Sequence, residues 1–317
     1  MSDPVAAAAA APAPAPQPAP PRRRPVGWIV TAVILAVSLI AIVAVAVWLY
    51  VERTQDRATI DDQQREIEEQ QQQLDEQRDL IDRKEAFGAA VENLLGEVES
   101  LRGMPLASVV PWDSYDSLAW QAWSRRWDLA GMDQSIRAVE DARTRLAAER
   151  ADAANAASVN ASGSAYEAAL DALGQGYVTW SLDDVCSTAD AIACVRSSDP
   201  RVVHVDVARE AEPYMTDRIR TGVAYHEFAH VLQFTNPEPT ATALEAFGGD
   251  AETMADCFAL TFLDGWTLDS RVWDSDSSYW EVSIGYGVEC DDAQKQVIRD
   301  WRASLGVQPR VIGPGAR

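Results

Sequence analysis

From Trp28 to Val51 ("WIVTAVILAVSLIAIVAVAVWLYV") the chain carries no charged side chain over 24 consecutive positions. A helix of that length spans roughly 36 Å at ~1.5 Å per residue, enough to cross a hydrocarbon core of ~30 Å with some tilt. Trp28 stands at one end and Trp48 and Tyr50 at the other, where interfacial aromatics belong. A cleaved signal peptide is the rival reading, but its apolar region is typically only ~7–15 residues. Arg22, Arg23 and Arg24 precede the span, whereas Glu52 and Asp56 balance Arg53 and Arg57 after it. The positive-inside rule therefore predicts a single-pass cell-membrane protein with a cytoplasmic N-terminus and an extracellular C-terminal domain.

The flanks of the span differ in kind. Residues 1–25 are dominated by "PVAAAAAAPAPAPQPAPP", an Ala/Pro tract without apolar periodicity that predicts a disordered cytoplasmic tail. Residues 26–51 form the expected transmembrane helix, and residues 52–102 read as a long polar helix or stalk. Ile60, Ile67, Leu74 and Ile81 recur every seven positions, while the other core position of each heptad is polar. A homodimeric coiled coil and a single solvated helix fit that half-apolar seam equally. From Phe87 to Leu101 a fuller apolar stripe follows. The segment "GMP" at 103–105 ends the run, and residues 103–317 form the expected extracytoplasmic domain.

A formal net charge of −22 argues against a nucleic-acid partner, since binding phosphates needs positive charge. All four cysteines, Cys186, Cys194, Cys257 and Cys290, lie on the outer side of the span. An even count in an oxidising compartment predicts disulfides, with three pairings open. The favoured pairs are Cys186 with Cys194, a short loop closure, and Cys257 with Cys290. The spacings contain no C-x-x-C element, which speaks against a cysteine metal site.

Within residues 103–317, helical patterns cover 112–155, a short helix at "SAYEAALDALGQG", about 212–234, 250–263 and a last helix opening at "DDAQ". "YVTW" and "RVVHVDV" alternate as strands do. The fold class is therefore mainly α with a small β-sheet. Trp120, Trp123 and Trp127 share a helical face and are expected to pack against the domain. His204 reads as ordinary strand filler.

Histidine occurs three times, and two copies stand in "AYHEFAHVLQ" as His226 and His230. Four residues apart on a helix, both imidazoles face one point, as a zinc ion requires. Glu227 lies about 100° further round the axis at ~3.6 residues per turn. It flanks the ion and suits a general base acting on metal-activated water. The next helix, "GGDAETMADCFALTF", places Glu252 and Asp256 again at i and i+4. Glu252 can supply a third ligand. Asp256 can accept the second N–H of His226 and fix its tautomer.

The paired phrases "HEFAH…AETMAD" resemble those of gluzincin-type metallopeptidases, and are especially similar to the bacterial putative neutral zinc metallopeptidases, over about residues 175–305. The resemblance implies a zincin-like α+β domain. It implies His226, His230 and Glu252 as zinc ligands, Glu227 as catalytic acid/base and Asp256 as the supporting aspartate. It also implies a peptide or protein substrate, bound along the edge strand read in "RVVHVDVA". Ala251 and Ala255 stand where thermolysin-like enzymes carry Asn and Ser, and the large preceding sheet of that subfamily is missing. Tyr279 and Tyr286 are the candidates for stabilising an oxyanion. The alternative to a membrane-anchored peptidase is a catalytically inactive, zinc-stabilised binding or scaffold domain on a stalk.

Overall fold

The structure is a computed structural model that describes residues 26–188, 190–287 and 290–315. The predicted Ala/Pro tail and the Arg22–Arg24 cluster lie outside the described residues. The chain divides into two units, at Asp75 and Glu76. The first contains most of α1, Val26–Glu99, whose N-terminal portion is long and apolar enough to cross a membrane by length and composition. Ile60, Ile67 and Leu74 are all exposed along it.

The second unit begins with the last turns of α1. Ala90, Leu94, Val98 and Leu101 are buried in its hydrophobic core. The full apolar stripe from Phe87 onward therefore belongs to this unit, and the compact domain begins at Glu76 rather than after the "GMP" break at 103–105. Then come α2 (Trp112–Ser124), α3 (Leu129–Val159) and α4 (Ala165–Gly174). Strands β1 (Thr179–Asp183), β2 (Ala193–Val195) and β3 (Val202–Asp206) precede α5 (Val207–Glu210), α6 (Asp217–Thr235), α7 (Pro237–Leu244) and α8 (Ala251–Phe262). A hairpin of β4 (Asp269–Ser275) and β5 (Ser278–Ser283) leads to α9 (Asp292–Ser304).

The expectation of a mainly helical chain with small sheets matches this architecture. Local chemistry explains the boundaries. Asp250 caps α8 by accepting from the Glu252 and Thr253 amides, and Asp291 opens α9 with a reciprocal capping box to Gln294. Thr216 caps α6, so that helix starts a turn later than the sequence pattern suggests. Pro237 and Pro239 do not leave a loop. Pro237 occupies the first turn of α7, where its missing N–H has no intrahelical partner to lose.

The three-stranded sheet has the order β1-β3-β2, with β3 parallel to β1 and antiparallel to β2. The strand "RVVHVDVA" is thus central, not the edge strand expected, because the three-residue β2 covers its outer side. His204 on β3 is buried. Its Nδ1 lies 2.8 Å from Asp183 and its Nε2 3.1 Å from Asp199, so it ties the sheet together away from the cleft.

Trp120, Trp123 and Trp127 do not pack into the core; they are 37%, 49% and 71% exposed. The buried side chains of α2 are Trp112, Tyr115 and Ala122. Lys84 and Arg126 instead lie over the Trp127 and Trp123 rings, at 4.0 and 4.3 Å from the centroids.

Helix α6 packs against both α4 and α8, and α8 packs against α9. Phe228 and Ala229, the two middle residues of "HEFAH", are fully buried, and Phe228 meets Phe258 of α8 at 6.1 Å between centroids. One turn earlier, Gly222 lets the buried Trp266 indole lie directly on the α6 backbone, where any Cβ would overlap the ring. A Gly222→Ala substitution is expected to cost about 1–3 kcal/mol through overpacking. Urea unfolding would report this as a lower midpoint at unchanged slope; an unchanged midpoint would mean the indole moves aside freely.

Candidate metal centre

Burial of Phe228 and Ala229 turns the remaining three positions of the motif toward a cavity of about 710 Å³. His226, Glu227 and His230 line it from α6, Glu252 from the first turn of α8, and Tyr286 from the segment after β5. The edge strand β2 forms part of another wall.

Three atoms converge there. His226 Nε2 lies 3.2 Å from His230 Nε2 and 3.2 Å from Glu252 Oε2, and His230 Nε2 lies 3.0 Å from the same carboxylate oxygen. The far sides of both rings are already committed. His226 Nδ1 sits 2.8 Å from Asp256 Oδ1, and His230 Nδ1 sits 2.8 Å from Gln233 Oε1. Each acceptor calls for an N–H on Nδ1, which leaves both Nε2 lone pairs aimed at one oxygen of Glu252. Such a cluster of acceptors is stable only with a cation among them. The group His226, His230 and Glu252 could hold a metal ion.

Without a metal, a proton serves instead. Burial opposes charge on His226, yet its hydrogen bonds to Asp256 and Glu252 outweigh that and raise its pKa to about 10. The same hydrogen bonds from His226 and His230 hold the Glu252 carboxyl well below the usual carboxylate range.

Asp256 is only 2% exposed, and its second oxygen is occupied as well. Oδ2 accepts the Tyr286 backbone N–H at 2.7 Å. Gly285 makes this close approach feasible. Its φ is +122°, and a Cβ there would stand 2.7 Å from the carboxylate.

Glu227 differs from every other group in the cluster. It is 4% exposed, and its Oε2 has no hydrogen-bond partner. Burial raises its pKa, against the opposing pull of His226 and His230. A buried, unpartnered carboxyl facing a cavity costs free energy that the fold alone does not require.

The structure pairs Cys186 with Cys194 and Cys257 with Cys290, at Cα–Cα distances of 5.8 and 5.3 Å. The first bridge anchors β2 at the cavity. The second ties the residue after Asp256 to the segment that follows Tyr286. Of the two candidate tyrosines, only Tyr286 reaches the site. Its ring stacks on His226 at 6.3 Å between centroids, beside the Glu252 carboxylate. Desolvation and the Glu252 charge push its pKa up to about 12. Tyr279 packs against Trp273 on the exposed hairpin. Gln233 was not among the site residues expected from sequence, although it stands one helical turn from His230 in the same segment. Comparison with protein-family models, curated proteins and solved structures finds no match to this chain.

Proposed function

We propose that this protein is a membrane-anchored, extracellular zinc-dependent peptidase, with a gluzincin-like site in a zincin-like domain. The observation that carries the reading is the convergence of three lone pairs beside the orphaned Glu227 carboxyl. The ligand atoms stand 3.0–3.2 Å apart. For Zn–N bonds of ~2.0–2.1 Å a tetrahedron has edges of about 3.3–3.4 Å, so the triad fits three corners and leaves a fourth open. A purely structural zinc site closes with four protein ligands and has no use for Glu227, which argues against the inactive scaffold.

Zinc, when bound, supplies a Lewis acid that polarises a carbonyl and acidifies water. His226, His230 and Glu252 would hold the ion, and Asp256 orients the His226 ring. Glu227 accepts a proton from the water that attacks the peptide carbonyl. As the C–N bond breaks, Glu227 returns that proton to the leaving amine nitrogen. Burial suits it to both halves of the cycle, because a raised pKa brings its two protonation states closer in energy. An extended substrate backbone would pair with β2, which meets no strand on its outer side among the described residues.

Tyr286 is the donor placed to meet the developing oxyanion. Tyr286→Phe is expected to lower kcat by about 10²-fold with little change in KM. Tyr279→Phe should change neither. Equal behaviour of the two variants would remove Tyr286 from the reaction.

The reading as a whole is tested on the full chain in detergent micelles, by metal analysis and peptide turnover. About one zinc per chain with measurable hydrolysis supports it. Zinc without turnover on any peptide would favour the scaffold, and no zinc at all would exclude both.

A further inference from the structure

The structure assigns Gln233 as a positioning residue that locks His230 to the first turn of α8, extending the functional motif to H-E-x-x-H-x-x-Q over His226–Gln233. This inference rests on the reading of His226, His230 and Glu252 as a metal triad.

Ala251 O lies 3.0 Å from Gln233 Nε2 and can only accept. That contact orients the amide, so Gln233 Oε1 must face His230, which it does at 2.8 Å. An amide oxygen can only accept, so His230 Nδ1 carries the hydrogen and Nε2 keeps its lone pair. That lone pair is the one aimed at Glu252. The tautomer of His230 is therefore set by the main chain of the residue immediately before Glu252. One side chain thus fixes a ligand ring on α6 and the peptide unit that leads into a ligand on α8. Gln233 is 8% exposed, so water does not compete for either bond.

The two histidines are held differently. His226 gives its Nδ1–H to a carboxylate, Asp256, which strengthens the ring as a donor. His230 gives its own to a neutral amide. With one charged partner, the ligands and their supports carry two negative charges, from Glu252 and Asp256, which balance one divalent ion. A second anionic partner would overcompensate the ion and weaken its pull on a carbonyl or water.

Zinc affinity tests the assignment independently of turnover, in competition with a chelator on the full chain in detergent. Gln233→Leu removes both hydrogen bonds and is expected to weaken zinc binding by about 10–100-fold. Gln233→Glu keeps the size and the acceptor. Its carboxyl oxygen can accept the same His230 Nδ1–H and so hold the same tautomer. It is expected to bind zinc within a few-fold of wild type and so to rescue the loss, and this second variant keeps the test open if the leucine variant folds poorly. A merely structural glutamine would shift the melting temperature in both variants and leave zinc affinity unchanged. Wild-type affinity in Gln233→Leu, or loss in both variants alike, would overturn the assignment while leaving the metal site standing. Failure of the wild type itself to bind zinc would overturn the assignment and the metal reading together.

Discussion

A Glu227→Gln variant is expected to keep its zinc and its fold and to lose peptide hydrolysis by about 10²–10⁴-fold, the range for removing a positioned general acid–base. The loss should fall on kcat, since Glu227 contributes to proton transfer and not to holding the ion. Retention of the fold follows from the site itself. Glu227 Oε2 is buried without a partner, and the carboxyl pKa is raised by desolvation. The neutral amide has the same shape and spares the protein a buried charge, so the variant is expected to melt at or slightly above the wild-type temperature. Loss of activity with equal or greater stability separates a catalytic carboxylate from a structural one, which would lose stability instead. Undiminished turnover would sink the proposed chemistry, whatever the metal content.

Much of this site was legible from spacing alone. The i, i+4 pairs place His226 with His230 and Glu252 with Asp256 on their helix faces, and the structure brings the two faces together. Capping residues gave the starts of α8 and α9, because a side-chain acceptor at the N-cap is a local interaction. What stayed hidden depends on partners distant in sequence. The strand β2 has three residues, too few for any alternation to show, and its position turns "RVVHVDVA" from an edge into a centre. The hairpin β4–β5 closes through Asp276 and Ser277 without the glycine that usually marks a tight turn. The helical pattern over 112–155 breaks after Ser124, so Trp127 falls in a turn and shares no helical face with Trp120 and Trp123, and which face of α2 meets the core depends on the position of the neighbouring elements. Gln233 was hidden for another reason: its role rests on Ala251 O, a main-chain atom that carries no sequence signal.

The increment in melting temperature that zinc confers is expected to grow as pH rises from about 6 to 9. In the metal-free protein His226 has a folded pKa of about 10 against an ordinary value near 6.5. Its contribution is therefore fully present below about 6.5 and is lost as pH rises through about 10. Glu227, raised by burial, acts in the same direction: its contribution is present below the ordinary carboxylate range and is lost as pH rises through its folded value. Glu252 is lowered, so its contribution is present above its ordinary value and is lost only in strong acid. The apo domain should thus be most stable near pH 4.5–6.5 and weaken on the alkaline side. Zinc binding runs the other way. The ion must displace the His226 proton, so affinity rises by up to about tenfold per pH unit below the folded pKa. At a free zinc concentration about 100 times Kd the stabilisation is about 2.7 kcal/mol, and each tenfold gain in affinity adds about 1.4 kcal/mol. Glu252→Ala should lower the increment at every pH and abolish most of it where free zinc is about 100 times the wild-type Kd. A zinc-binding energy of ~10–16 kcal/mol shared among four ligands makes one ligand worth about 10²–10³-fold in affinity. Calorimetry with and without chelator, across that pH range, reads both effects. An increment that stays flat with pH would show that His226 is already neutral in the metal-free protein, and an increment that survives Glu252→Ala would mean the ion is held elsewhere.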